Sequence, residues 1–60
     1  MRWQSLYHAG QPVEILLLDR WVLGEVVGKH TGITVKSRSG GLYCISRKSE
    51  IRPVEIKESP

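Results

Sequence analysis

The sequence predicts one small all-β domain, five short strands closing into a barrel with one helical turn near residues 47–50. Three observations predict it. Apolar and polar residues alternate with the period of a half-buried strand, most cleanly in Ile33-Thr34-Val35-Lys36. Turn-forming residues cut the chain into pieces of strand length, and no segment combines a helical period with caps. Gly24 lies inside a long β-forming run, where it signals the sharp bend or close backbone approach that a small barrel needs.

The elements follow in chain order. Residues 1–9 have no clear period and read as an N-terminal extension, and Gly10-Gln11-Pro12 punctuates the chain before the first strand. Val13 to Leu18 is that strand, with Val13, Ile15 and Leu17 on one face and Glu14, Leu16 and Leu18 on the other. One face enters the core. Leu16 and Leu18 then need a cover, either Trp3, Leu6 and Tyr7 or a second copy of the chain, so a homodimer is an open alternative. Asp19-Arg20 reads as a turn. Trp21 to Lys29 is the second strand, with Val22, Gly24 and Val26 facing opposite to Leu23, Glu25 and Val27. A loop from Lys29 to Gly32 leads to the third strand, Ile33 to Lys36. Ser39-Gly40-Gly41 is a hairpin signal. Leu42 to Ser46 is the fourth strand, and polar Arg47 to Glu50 suits the helical turn. Ile51 to Val54 is a short last strand that Pro53 restricts to an edge. The domain thus covers residues 10–55 and leaves a tail at 56–60.

Size and composition bound the function. A domain of 60 residues opening on Met1 reads as complete in itself and buries only about 60% of its unfolded surface. Such domains lean on disulfides, metals or partners. Cys44 is the sole cysteine, which excludes an internal disulfide, and with His8 and His30 it makes no metal-ligand spacing. No metal or other cofactor is expected. No apolar stretch follows a basic leader, which points to a reducing, cytoplasmic compartment with no membrane partner.

The net charge of +3 is unevenly spread. From Val26 to Ser49 there are five basic residues, Lys29, Lys36, Arg38, Arg47 and Lys48, and no acid. A basic window of this kind suits a polyanion.

Certain residues carry a resemblance. Trp21 with Gly24 and Val26, then Ile33 and Val35, then Ile51-Arg52-Pro53, resemble the "W..G.V", "I.V" and "I.P" segments of SH3-like barrels, the Tudor, Agenet and KOW-type modules among them. The resemblance covers about residues 10 to 55 and implies the barrel fold. Tudor-type modules imply a cage of aromatic walls around a methylated cation, to which Trp21 and Tyr43 would contribute. A narrower likeness, at Gly10, Val13, Trp21, Gly24, Val27 and Gly28, is to the plasmid-borne type II dihydrofolate reductases. That likeness implies a tetramer and hydride transfer from a nicotinamide cofactor. Where that family carries a pore-lining Val-Gln-Ile-Tyr segment, this chain reads Gly41-Leu42-Tyr43-Cys44-Ile45, without the glutamine.

Catalysis is not expected. No carboxylate pair or phosphate loop is present, His8 and His30 read as solvated, and Cys44 between Tyr43 and Ile45 reads as a small buried hydrophobe. The first functional expectation is a nucleic-acid-binding or nucleoprotein-associated module. Lys29, Lys36, Arg38, Arg47 and Lys48 would meet phosphates, and Tyr43 with Trp21 would stack on bases. The alternative is a protein-interaction module, a Tudor-like adaptor or a subunit of a larger complex, using Trp21, Tyr43, Leu16 and Leu18.

Overall fold

The computed structural model describes residues 3–54. Five strands are present: β1 (Pro12–Leu17), β2 (Arg20–Lys29), β3 (Ile33–Ser37), β4 (Leu42–Ile45) and β5 (Ile51–Pro53). Short 3₁₀ turns at Trp3–Leu6 and Lys48–Glu50 accompany them. The expected helical turn is the second of these. The strands form one antiparallel sheet in the order β4-β3-β2-β1-β5. Among the described residues no pairing joins β4 to β5, so the sheet is open in its hydrogen bonding.

Each hairpin follows from its turn residues. Leu17 pairs with Arg20, leaving Leu18 and Asp19 to reverse the chain. Both take positive φ, 48° and 64°, the twist that a two-residue hairpin loop requires. This corrects the expected end of β1. Leu18 is not a strand residue beside Leu16; it stands at the turn tip, 97% exposed. Between β3 and β4 the loop is Arg38-Ser39-Gly40. Gly40 N–H donates to Ser37 O at 2.9 Å, and Ser37 N–H donates to Gly41 O at 2.7 Å. Gly40 carries the φ of 104° that closes the loop. Ser37 is buried, but its Oγ accepts from Gly41 N–H at 3.1 Å and meets Ser39 Oγ, so it is satisfied.

The strand β2 bends as its glycine predicts. A Cβ on Gly24 would lie 2.7 Å from Val35 Cγ1 and 2.8 Å from Lys36 O. The register against β3 also shifts, with Val26 opposite Val35 and Gly28 opposite Thr34, so Val27 bulges out unpaired.

The inner face supplies the core. Val13, Ile15, Val26, Ile33 and Val35 are fully buried, and Ile45 and Ile51 bring in the two outer strands. Each such side chain contributes about 1.5–3 kcal/mol when fully buried. The segment read as an extension is part of this core. Tyr7 is only 6% exposed, and Trp3 packs on it edge-to-face with centroids 6.1 Å apart. Burial pushes the Tyr7 phenol above its usual pKa by desolvation. Backbone bonds from Gly10 N–H to Val26 O and from Val26 N–H to Gln11 O fasten this segment to β2. Leu6 is exposed, and Tyr7 and Trp3 pack on the core cluster rather than over Leu18.

A second correction concerns Cys44, which is exposed. It stands opposite Thr34, while its neighbour Ile45 stands opposite buried Ile33. Alternation therefore turns Cys44 to the outer face of an edge strand, where no described residue covers it.

Candidate nucleic-acid interface

The outer face of the sheet follows from the same register. Pro12 faces Glu25, Glu25 faces Lys36, and Lys36 faces Leu42, a row crossing β1 to β4. In the next row Arg52 faces Glu14 and Glu14 faces Leu23. Leu16 faces Trp21 beyond that. Arg38 is brought in by its backbone, whose N–H donates to Leu23 O at 3.0 Å. This bond docks the β3–β4 loop against β2.

A groove of about 440 Å³ opens between these rows, with Pro12, Leu23, Glu25, Lys36 and Arg38 among its walls. That volume falls in the range of small-molecule clefts, about 300–1,000 Å³. The charges around it are exposed. The ion pair found among the described residues is elsewhere, between Arg52 and Glu14 at 2.9 Å. Glu25, Lys36 and Arg38 thus have no ionic partner among the described residues.

Trp21 shares the outer face but is already engaged. The Arg52 guanidinium lies 3.9 Å above its ring centroid, and Arg52 Nε donates to Glu14 Oε1. One wall of the expected aromatic cage is therefore occupied by the chain's own cation. Leu16 is half-buried opposite Trp21.

The other expected site residues lie apart. Lys29 stands opposite Ile33 at the far end of β2 and β3, and its Nζ donates to Gln4 O at 3.4 Å. Arg47 and Lys48 follow Ile45, whose partner is Ile33, so they lie at the same end. Tyr43 pairs with Val35, which gives it the core-facing side of β4, and its half-exposed ring rests against Gly41. The basic residues thus form two groups, Lys36 with Arg38 and Lys29 with Arg47 and Lys48, and Tyr43 points away from Lys36.

Pro12, Leu23 and Glu25 were not among the expected site residues, and the strand register brings them to the groove. His8 and His30 are exposed. Among the described residues no cluster of His, Cys, Asp and Glu is placed to hold a metal, and no helix is long and apolar enough to cross a membrane. Comparison with known proteins adds no relative: no family model matches the chain, and no curated protein or solved structure matches it either.

Proposed function

We propose that the chain is a non-catalytic, cytoplasmic binding module that holds single-stranded nucleic acid across the outer face of β1, β2 and β3. The observation that carries this reading is the pair Lys36 and Arg38, exposed and without ionic partners among the described residues, in a groove that Pro12 and Leu23 also line. A positive rim beside apolar or aromatic surface is the combination that grips a single strand. Lys36 and Arg38 are the phosphate contacts, and Trp21 lies on the same face of the sheet. Lys29, Arg47 and Lys48 widen the positive field from the other end of the barrel.

The reading includes an SH3-like barrel. A lone flat sheet cannot bury one whole face, yet five side chains of this one are fully buried. Ile45 of β4 and Ile51 of β5 join a single core cluster although their strands are the two edges. Side-chain closure of the curled sheet accounts for both facts. The β2 bulge and the 3₁₀ turn before β5 supply the corners.

The test is fluorescence anisotropy with labelled oligonucleotides at several salt concentrations. Wild type binds with a salt slope of about −0.7 per phosphate contact on single strands. The double variant Lys36→Glu/Arg38→Glu, folded by circular dichroism, loses binding at low salt. Equal binding by that variant refutes the reading.

A protein-interaction module is the second reading, favoured by the two most exposed of the large apolar residues among those described. These are Leu18 at the β1–β2 turn and Leu42 on edge strand β4, which is 67% exposed. Leu18→Ser abolishes partner capture in that case and leaves oligonucleotide binding unchanged.

A further inference from the structure

We infer that the groove is a base-reading subsite selective for guanine, with Glu25 as the specificity-determining residue. The inference rests on the nucleic-acid reading above. It starts from an anomaly, because a carboxylate in the middle of a polyanion site weakens phosphate binding. Glu25 is central nonetheless. Pro12 and Lys36 flank it on the neighbouring strands, and Leu23 precedes it by two residues on the same face. Neither Lys36 nor Arg38 neutralises it in an ion pair. Directly opposed residues on paired strands have Cβ atoms about 5 Å apart, so Lys36 is near enough to do so.

An ionised carboxylate only accepts hydrogen bonds, and it has two oxygens side by side. Guanine matches it, since the N1–H and N2–H of its Watson–Crick edge are adjacent donors and make two parallel bonds. Cytosine and adenine offer an amino group beside a ring-nitrogen acceptor, and thymine and uracil flank one N–H with two carbonyls. Each of these sets a lone pair against one carboxylate oxygen. Single-stranded bases are read on this edge because nothing else pairs with it.

The remaining walls suit the rest of the nucleotide. Pro12 and Leu23 present apolar surface to the ring. Lys36 and Arg38 stand on the β3 side of Glu25, where they hold a phosphate. The base is therefore pinned between an apolar wall and a carboxylate while its backbone lies on the cations.

The experiment uses the full chain and labelled thymidine tracts that carry, at one internal position, thymine, guanine or inosine. Inosine lacks the N2 amine and retains N1–H. One guanine is expected to tighten binding by about tenfold, the size of one good bidentate base contact. Inosine is expected to give less than guanine, and Glu25→Gln to bind guanine and thymine tracts alike. Binding to the tract without a guanine preference, or a preference that survives in Glu25→Gln, overturns the inference and leaves the nucleic-acid reading standing. No binding to any tract at low salt overturns that reading as well.

Discussion

Replacing Gly24 by alanine is the most direct probe of the bend in β2. The added methyl meets two neighbours closer than 3.0 Å, Val35 Cγ1 at 2.7 Å and the backbone oxygen of Lys36 at 2.8 Å. Neither can step aside. Val35 is fully buried and β-branched, and the carbonyl belongs to the β3 ladder. Overpacking of this kind costs about 1–3 kcal/mol. Alanine returns about 0.4–1 kcal/mol by restricting the unfolded chain. The net loss is about 1–2 kcal/mol, and at roughly 4–8 °C per kcal/mol for a domain of this size the melting temperature falls by about 5–15 °C. Gly28→Ala is the control, because a Cβ there meets nothing within 4 Å and its backbone does not need a positive φ. That variant melts at or slightly above wild type. Thermal melts followed by circular dichroism read both. If Gly24→Ala melts no lower than Gly28→Ala, β2 does not pass over Val35 as described, and the argument from the bend to a curled sheet is wrong.

Other outcomes follow from single features. Leu18→Asn/Asp19→Gly places turn formers at the two positive-φ positions, and left-handed backbone costs an ordinary side chain about 1–2 kcal/mol per residue, so the variant gains about 1 kcal/mol in denaturant melts. A loss would mean that the turn has another geometry. The folded chain raises the Tyr7 pKa above 10.0, so it holds that proton more tightly than the unfolded chain. Stability from this group is intact below pH 10.0 and declines as pH rises through and beyond it. Tyr7→Phe therefore shows a shallower alkaline decline in melting temperature, and an unchanged slope would place the phenol in water. Cys44 reacts with a thiol reagent in the native protein at the rate of an unprotected thiol, whereas protection until denaturant is added would bury it.

Much of the architecture was legible because strands and tight turns are local. Ile33 to Lys36 alternates and is a strand; Gly24 marks the close approach; Gly40 sits where the hairpin requires positive φ. What escaped depends on long-range register or on irregular packing. Tyr7 enters the core from a segment with no period, since a 3₁₀ turn and its trailing coil leave no repeat to detect. Cys44 looked buried by residue type, but its exposure depends on β4 lying at the sheet edge. The acid-free window from Val26 to Ser49 suggested one basic surface. Folding splits it between two ends, because β3 separates Lys29 from Lys36 and β4 separates Arg38 from Arg47. Glu25 lies immediately outside that window in sequence, and pairing with Lys36 moves it into the groove. Arg52 is similar. Nothing in the sequence near Pro53 announces that its guanidinium covers Trp21.

The position of β5 has a kinetic consequence. Strands β1, β2 and β3 each pair with the next in sequence, so these hairpins form by short loop closures. The β1–β5 pairing instead joins segments such as Glu14 and Arg52, which are 38 residues apart. Contacts of high sequence separation are slow to form, so the meander assembles first and β5 locks onto it last. Substitutions at Ile51 and Arg52 then act chiefly on the unfolding rate, with little change in folding rate. The shortest strand of the sheet thus governs how long the folded molecule survives, while the hairpins govern how fast it forms.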